Sequence, residues 1–270
     1  MGERTMRVRP ALLSIGMTLA AAAPPLRAQD NLSYTAKPED TEVWAPEPPK
    51  AAPGPYVASA IPSDAIVLFG GKDLREWVSV KDGAPAQWTV VDGLLTVKPG
   101  TGNIQTRRKF MDYQLHLEWR VPINGPATGR DKGNSGVFLA STGDEDAGYE
   151  LQIFDSYTTK IYVNGQAGSI YKQFAPLVNA MRPPGEWQTY DVIWTAPRFS
   201  SDGVLIRPAT ATVMHNGIVI QNHVELTGET LYIGKPAYRP HGASPIKLQD
   251  HREAVSFQNI WLRELNTAEH

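Results

Sequence analysis

The stretch Tyr113-Gln-Leu-His-Leu-Glu-Trp-Arg-Val121 indicates the structural class, because an apolar side chain stands at every second position and polar side chains stand between them. Side chains of a β-strand point alternately to its two faces. One face of this stretch therefore suits a core and the other suits solvent. The pattern predicts a half-buried strand.

The same two-residue alternation recurs along the chain from residue 63 onward. Further strands are predicted at residues 88–91, 94–98, 136–140, 149–154, 189–195, 211–215, 218–223 and 255–264. Turn signals separate them, and Asn216-Gly217 between two apolar-rich runs is typical of a type I′ hairpin turn. Apart from the first thirty residues, no long segment has the 3.6-residue period of a helix. The pattern predicts an all-β protein, a β-sandwich or jelly roll in one domain over residues 63–270.

The N-terminus has the features of a signal peptide over residues 1–28. Three arginines precede an apolar run from Ala11 to Ala23, two prolines follow it, and Ala28 offers a small residue before a cut. The run is too short to span a bilayer. An uncleaved anchor is the alternative, and a lipoprotein anchor is excluded because no cysteine follows. We expect export to a bacterial periplasm or secretion, with no transmembrane anchor after processing.

Residues 29–62 form a proline-rich segment, which we call the arm. Seven prolines lie between Ala36 and Pro62. Proline fixes φ and donates no backbone hydrogen bond, so the arm should be extended and polyproline-like. Trp44 and Tyr56 are suited to dock it onto the domain, and a mobile tail is the alternative.

Charge and cysteine content exclude several classes of function. The 26 Lys and Arg residues nearly balance the 28 Asp and Glu residues, for a net charge of -2. No basic excess is present to neutralise a row of phosphates, which argues against a nucleic-acid partner. The absence of cysteine excludes disulfides, thiol catalysis and cysteine zinc sites. The chemistry must come from carboxylates, six histidines, hydroxyls, amides or a metal held by oxygen and nitrogen.

One polar group of candidate residues lies on the predicted strand at 149–154. Alternation places Glu150 and Gln152 on one face, and Asp155 follows at the strand end. A carboxylate and an amide on one face, near a second carboxylate, can grip sugar hydroxyls or act as acid and base. A solvated strand face is the alternative.

Two polar loops supply further candidates. Residues 129–136 combine both charge signs with three glycines, and Asn134 or Ser135 can approach a ligand there; a plain turn is the alternative. In the second loop, Gln249, Asp250 and His251 precede the last strand. Imidazole titrates near neutrality, so His251 is suited to be a general base or metal ligand, oriented by Asp250 or a nearby acid. A surface histidine is the alternative.

A series of motifs follows in one order along residues 64–266. They are Phe69-Gly-Gly-Lys-Asp-Leu-x-x-Trp77, Trp88, Asp92-Gly93, Phe110 to Trp119, Gly133-Asn-Ser-Gly-Val-Phe138, Tyr149-Glu-Leu-Gln-Ile153, Gly185-Glu-Trp-Gln188, His215-Asn-Gly217 and Leu248-Gln-Asp-His251 to Asn259-Ile-Trp261. Together they resemble the 3-keto-disaccharide hydrolase family, long known as a domain of unknown function and now described as 3-keto-glucoside 1,2-lyase and 3-keto-2-hydroxyglucal hydratase. The resemblance implies a concanavalin A-like jelly roll, in agreement with the alternation.

The resemblance also implies a reaction. A 3-keto group acidifies the proton on C2; a base removes it, the enolate expels the oxygen at C1, and water adds to the resulting glucal. The substrate is then a 3-keto-glycoside, and a separate oxidoreductase that supplies the keto group is an implied partner. The ketone oxygen requires an electrophile, either Lys or Arg or a divalent cation.

We expect the following roles on this basis. The catalytic residues are His251 as base or metal ligand, Glu150 as acid or base, and Asp155. The substrate-binding residues are Gln152, Asn134, Asp250, Gln249, Arg130 and Lys132, with either cation suited to face the enolate. His116 and Glu118 are further candidates if their strand face is the concave one.

Two other functions remain open at this point. Glu150-Leu-Gln-Ile-Phe-Asp155 is similar to the Glu-x-Asp-x-x-Glu strand of retaining β-glucanases, but it has Gln152 in the middle and a shorter final acid. Retaining hydrolysis requires two carboxyl groups about 5–5.5 Å apart, so this departure favours elimination. A lectin-like carbohydrate-binding module needs the same fold, and the Gln249-Asp250-His251 cluster favours catalysis over binding alone.

Overall fold

A computed structural model describes residues 1–2, 35–144 and 146–265 of the chain. The predicted signal peptide lies outside the described residues apart from Met1 and Gly2. The described residues from Ala36 onward form one compact unit. Within the described ranges, no helix has the length and apolar character needed to cross a bilayer.

Within the described residues, the regular structure consists of fifteen strands and three short 3-10 turns. The strands are β1 (Ile66–Phe69), β2 (Trp77–Ser79), β3 (Thr89–Val91), β4 (Leu94–Thr96), β5 (Ile104–Thr106), β6 (Tyr113–Arg120), β7 (Ser135–Ser141), β8 (Gly148–Ile153), β9 (Gln188–Thr195), β10 (Arg198–Phe199), β11 (Leu205–Arg207), β12 (Thr210–His215), β13 (Ile218–Glu225), β14 (Lys247–Leu248) and β15 (Ser256–Glu264). The 3-10 turns are Pro38–Thr41, Gly129–Asp131 and Val163–Gly165.

Two antiparallel sheets form a sandwich, which confirms the predicted all-β jelly roll. The larger sheet has eight strands in the order β13-β12-β9-β6-β15-β4-β3, with β1 also paired to β15. The smaller sheet has the order β2-β5-β14-β7-β8, and β10 and β11 form a separate hairpin. All these pairings are antiparallel.

The core lies between the two sheets, and β6 contributes the face that its alternation predicts. Tyr113, Leu115, Leu117 and Trp119 are buried in a cluster with residues of the smaller sheet such as Leu151. Burial of apolar surface of this kind is the main favourable contribution to folding. Because the side chains on the inner faces of the two sheets form the core, functional side chains must lie on the outer faces or in loops.

The second face of β6 differs from the prediction of a solvent-facing surface. His116 and Glu118 are buried there. The arm contacts Glu118, and the His116 ring stacks on Trp261 and bonds to Asp191. The Tyr56 hydroxyl donates to Glu118 Oε2 at 2.5 Å, and the Asn259 side-chain amide donates to the Ser59 carbonyl at 2.9 Å. This face is therefore not a concave substrate face, and the structure does not place His116 and Glu118 in a cavity.

The described part of the arm, from residue 35 onward, is docked onto the domain at several points and does not form a separate tail. The predicted extended conformation holds except at Pro38–Thr41, which forms one 3-10 turn. Proline suits the first turn of a helix, and the Asp40 side chain accepts the Lys37 backbone N–H at 2.7 Å. Farther along, the Pro49 carbonyl accepts the Asn179 backbone N–H at 2.9 Å. Both Tyr56 and Trp44 contact the domain, as expected from the sequence.

Candidate active site

A cavity of about 310 Å³ opens on the outer face of the five-stranded sheet, beside β7 and β8. Its volume suits a small ligand such as a sugar. The residues that line it are Arg130, Asp131, Asn134, Asp146, Glu150, Gln152, Ile161, Tyr162, Tyr171, Thr230, Tyr232, Gln249 and His251. Six of the nine predicted site residues are therefore brought together: Arg130, Asn134, Glu150, Gln152, Gln249 and His251.

Glu150 is a buried carboxyl group of the cavity with a strongly raised pKa. Strand alternation turns it to the outer face of β8. On the neighbouring strand β7, Gly136 pairs with Gln152 and, lacking a side chain, leaves room for the Glu150 carboxyl group. A Cβ atom at position 136 would lie 2.6 Å from Glu150 Oε1. Burial, together with the like charge of Asp146, raises the pKa of Glu150 to about 8, although Lys247 acts in the opposite direction. The carboxyl group is protonated at neutral pH and can act as a general acid.

Lys247 lies under the cavity floor and was not predicted as a site residue. Register aligns Glu150, Phe138 and Lys247 across β8, β7 and β14. Lys247 is fully buried; its Nζ lies 4.3 Å from the centroid of the Phe138 ring and donates to the Ala147 carbonyl at 2.8 Å. The spacing of Lys247, Gln249 and His251 at alternate positions was the available sequence signal.

Gln249 presents a hydrogen-bond acceptor at the cavity. Its side-chain nitrogen donates to Asp146 Oδ1 at 2.9 Å, and its backbone is held by bonds to Ser135 and Gly136 on β7. Its side-chain oxygen is buried and has no hydrogen-bond partner within the described part of the chain. Buried polar atoms normally have partners, so this oxygen is suited to accept a hydroxyl of a bound sugar.

His251 lies at the edge of the cavity beside Asp131. The distance from its Nδ1 to Asp131 Oδ1 is 3.8 Å. Asp131 belongs to the turn Gly129–Asp131, and the Asn134 side chain donates to the Arg130 carbonyl in that turn at 3.0 Å. Asp131 is thus the acid that lies nearest to the imidazole, and Asn134 helps to hold the turn that carries it.

Asp250 does not take the orienting role that the sequence indicated. Its two carboxylate oxygens accept the backbone N–H groups of Gly102 and Arg252, each at 2.9 Å. These bonds fasten the loop before β15 to the loop before β5. Asp250 does not line the main cavity, although it lines a neighbouring one together with His251.

Asp155 and Lys132 also lie away from the cavity lining. β8 ends at Ile153, and Asp155 closes the following turn by accepting the backbone N–H groups of Tyr157 and Thr158 at 3.2 and 3.1 Å. Lys132 Nζ lies 3.1 Å from Asp155 Oδ2. A carboxylate with these partners is a turn-forming group, so the structure separates Asp155 and Lys132 from Glu150.

Three tyrosines form a wall of the cavity that the sequence did not reveal. Tyr162 and Tyr171 share a hydroxyl–hydroxyl hydrogen bond of 2.6 Å, and the Lys172 ammonium lies 4.6 Å from the Tyr232 ring centroid. Burial raises the pKa of Tyr162 and of Tyr171, so both hydroxyls stay protonated. Aromatic rings of this kind offer apolar surface to the faces of a sugar ring.

A metal site is not apparent in the donor geometry. Across the described ranges, no three side chains among His, Asp and Glu lie close enough together to hold one ion. The described residues therefore do not form a site for the divalent cation that the resemblance allowed as an alternative to Lys or Arg, and we derive no step through it.

The fold and the site together define a carbohydrate-active enzyme: a jelly-roll sandwich carries a protonated carboxyl group, an imidazole and an aromatic wall in one cavity. The chain belongs to the family of the 3-keto-alpha-glucoside-1,2-lyase-like domain, whose model matches residues 64–263. This match confirms the family indicated by the motifs. It covers the whole sandwich and leaves out the arm.

Solved structures agree with this assignment. A candidate glycosyl hydrolase from Parabacteroides distasonis ATCC 8503 is 50% identical, over 84% of this chain and 96% of its own, with a TM-score of 0.72. A second candidate glycosyl hydrolase from that organism is 22% identical, over 75% of this chain and 94% of its own, with a TM-score of 0.57. The second likeness supports the fold alone. No curated protein matches the chain.

Proposed function

We propose that the protein cleaves 3-keto-glycosides by elimination across C1 and C2 and then hydrates the product to 3-ketoglucose. The observation that carries this proposal is the buried Glu150, whose pKa is raised to about 8 by its burial, in the same cavity as His251. An acid and a base in one cavity are the two groups that an elimination beside a ketone requires.

In the first step His251 takes the proton from C2. The electron pair of that C–H bond forms an enolate with the C3 ketone, and Arg130 at the cavity rim is suited to stabilise the enolate oxygen. The enolate then restores the ketone, forms the C1–C2 double bond and breaks the bond from C1 to the glycosidic oxygen. Glu150 donates its proton to that leaving oxygen.

In the second step the two groups exchange roles. The Glu150 carboxylate takes a proton from water as its oxygen adds to C1, and the His251 imidazolium returns a proton to C2. The products are 3-ketoglucose and a free alcohol, and both residues regain their starting protonation states. The sum of the two steps is a hydrolysis that needs no covalent glycosyl-enzyme.

The placement of Asp155 argues against ordinary retaining hydrolysis by the β8 carboxylates. That mechanism needs a second carboxyl group about 5–5.5 Å from the acid, to attack C1. In β8 the amide of Gln152 occupies the middle position, and Asp155 is engaged in its own turn. Elimination uses Glu150 without such a partner.

The aromatic wall supports one second candidate, a carbohydrate-binding module. Tyr162, Tyr171 and Tyr232 would serve binding without catalysis equally well. The raised pKa of Glu150 supports catalysis over binding alone, because perturbed acids of this kind cluster at catalytic sites.

Incubation of the protein with a 3-keto-glucoside and with the matching unoxidised glucoside, each with and without a chelator, tests these functions. Cleavage of only the keto compound supports our proposal. Cleavage of both compounds indicates a β-glucanase-like hydrolase, and binding without turnover indicates a module. Loss of activity with the chelator would show a need for a cation beyond the side chains described above.

Two features of the setting belong to the same proposal. The substrate requires a separate oxidoreductase that converts the C3 hydroxyl of a glycoside into a ketone. The N-terminal sequence indicates export, so we propose that cleavage takes place in the periplasm or outside the cell. Fractionation of cells that express the full chain, with detection of the processed N-terminus, tests this location.

A further inference from the structure

The arm residues Pro38–Trp44, which we call the arm segment, lie against the tyrosine wall of the cavity. The Asn164 side chain accepts the Val43 backbone N–H at 3.0 Å and donates to the Thr41 carbonyl at 2.9 Å. The Val163 backbone N–H donates to the Val43 carbonyl at 2.6 Å. The arm segment is therefore fixed to the 3-10 turn that follows Tyr162.

Glu42 reaches from the arm segment to a residue that lines the cavity. Its carboxylate accepts a hydrogen bond from Arg130 Nη1 at 2.9 Å, and only 3% of the Glu42 side-chain surface is exposed. The Arg130 guanidinium lies 5.6 Å from the Tyr162 ring centroid. A charge-assisted bond to a buried carboxylate restricts an otherwise flexible arginine. Glu42 thus sets where the guanidinium stands at the cavity rim.

A second contact ties the arm segment to the other end of the tyrosine wall. Lys172 Nζ donates to the Pro38 carbonyl at 2.7 Å and to the Tyr232 carbonyl at 2.8 Å. The same ammonium lies 5.6 Å from the Tyr162 ring centroid. The arm segment is therefore bonded to both cations that stand beside the wall, Arg130 and Lys172.

We propose that Glu42 is a positioning and specificity-determining residue of the active site: it holds Arg130 toward the bound sugar and neutralises it, so that the cavity accepts an uncharged keto-sugar. This inference rests on the proposed function. The arm segment, which lies outside the matched family domain, is then part of the substrate-binding site. Without Glu42, Arg130 carries an uncompensated charge and samples more orientations.

The test compares Glu42→Gln with the wild-type full chain on a 3-keto-glucoside. We expect KM to rise about 5–10-fold and kcat to fall by a smaller factor, because Arg130 loses its fixed position toward the substrate and its enolate while the acid and the base remain. The ratio of affinities for the matching glucuronide and the unoxidised glucoside should shift toward the anionic glucuronide. A purely structural role for Glu42 would lower thermal stability without changing this ratio.

Matched variants separate the interaction from general damage. Glu47→Gln is the control in the same arm, because Glu47 and its partner Lys160 are exposed and 3.9 Å apart; its KM should not change. Arg130→Gln should raise KM and also lower kcat, since it removes the group that faces the enolate. Adding Glu42→Gln to it should have little further effect, since the two residues act as one unit. Glu42→Asp keeps the charge and gives an intermediate KM, and it carries the test if Glu42→Gln does not fold.

The outcomes also separate this inference from the proposed function. If the wild type cleaves the keto-glucoside and Glu42→Gln has an unchanged KM and ratio, the role of Glu42 is wrong and the proposed function stands. If the wild type cleaves nothing, the proposed function is wrong, and Glu42 is then judged by the dissociation constants of glucoside and glucuronide alone. Equal binding by wild type and variant, or no binding by either, overturns the inference.

Discussion

At the scale of single residues, Glu150 combines a catalytic position with a cost to folding. Its pKa is raised to about 8 in the folded protein, against the ordinary value of 4.5. Protonation therefore favours the folded state, and this group lowers stability as pH rises from 4.5 toward 8. The same burial keeps the proton available for a leaving group at neutral pH.

Replacement of Glu150 by Gln should separate these two effects. We expect kcat to fall by about 10²–10⁴-fold, the usual contribution of a general acid. The melting temperature should rise by a few degrees at pH 8 and stay unchanged near pH 4.5, because the amide has no charge to bury. In the wild type, activity should decline as pH rises through about 8. Full turnover by this variant would contradict the assigned role.

Asp146 should set the position of that decline. Its negative charge helps to raise the pKa of Glu150, so Asp146→Asn should move the alkaline limb of the pH–rate profile to lower pH. The measurement is kcat against pH for the two proteins. An unchanged limb would show that a group other than Glu150 titrates there.

Gly136 is the residue that makes room for the acid. A Cβ at this position would lie 2.6 Å from Glu150 Oε1, so Gly136→Ala should displace the carboxyl group and lower kcat/KM by about tenfold or more. Gly143→Ala is the matched control, since the nearest atom to its added Cβ is 3.6 Å away. Steady-state kinetics and melting temperatures of both variants check this. Equal kinetics of the two variants would contradict it.

Residue types and alternation could predict part of this site. Glu150 and Gln152 alternate with apolar residues on a strand long enough to show a period, so their shared face was readable. Asp155 follows in the same sequence run, but the chain turns after Ile153 and takes the side chain away. The tyrosine wall, such as Tyr162 and Tyr232, comes from loops distant in sequence, and no local pattern marks such neighbours.

At the scale of elements, strand length decided what the sequence could predict. The long strands β6, β9 and β15 have eight or nine residues, enough to show alternation, and they lie where it places them within about two residues. Strand β14 has two residues and β2 has three, too few for any period. Strand β14 was not predicted from the sequence. Because β14 carries Lys247, that residue was also missing from the predicted site.

The arm is the element whose packing depends most on partners remote in sequence. Near Tyr56 it covers the buried Glu118, and hydrogen bonds from His116, Asn259, Tyr56 and Gln258 lower the pKa of Glu118 to about 2 even though burial acts to raise it. Alternation alone predicted a solvated face for β6. The proline content predicted an extended arm but could not show which face it covers.

Removal of the Tyr56 hydroxyl tests how much this contact stabilises the fold. Tyr56→Phe leaves a buried carboxylate with one donor fewer, and we expect a loss of about 1–2 kcal/mol of unfolding free energy. The corresponding fall in melting temperature is about 4 °C for a domain of this size. Tyr157→Phe, at an exposed position, is the control and should change neither stability nor kcat. A stable Tyr56→Phe variant would show that the arm contributes little there.

At the scale of the whole molecule, one arm joins the two faces of the sandwich. Its first part contacts the wall of the cavity through Glu42, and its later part covers β6 through Tyr56. The active site and the back of the larger sheet are therefore parts of one compact unit. Buried titratable groups on both sides make the stability of this unit depend on pH.

Two of these groups make the folded protein less stable as the pH is lowered. Burial and the charge of Arg182 lower the pKa of His215 from 6.5 to about 3. Its contribution to stability is present above 6.5 and is lost as pH falls toward 3. Glu118, with a pKa lowered to about 2, likewise contributes above 4.5 and loses that contribution as pH falls toward 2.

Two groups make the folded protein less stable as the pH is raised. The hydrogen bonds to Asp191 and Glu118 outweigh the opposing effect of burial and raise the pKa of His116 to about 9. The contribution of His116 to the stability of the folded protein is full below pH 6.5 and is lost as the pH rises through 9. Glu150 causes a further loss of stability as the pH rises from 4.5 to 8.

These opposing slopes predict a plateau of stability. Between pH 4.5 and 6.5, the unfolded chain binds one more proton than the folded protein at His215 and one fewer at Glu150, so the two effects on stability nearly cancel. Melting temperatures measured from pH 4 to 9 should therefore be flat across that range and fall on both sides. The Glu150→Gln variant lacks the decrease in stability that Glu150 causes with rising pH. Its melting temperature should therefore climb from pH 4.5 to 6.5 and peak near pH 6.5. His116→Gln should instead lessen the fall between pH 6.5 and 9, and identical profiles for all three proteins would show that these groups do not control stability.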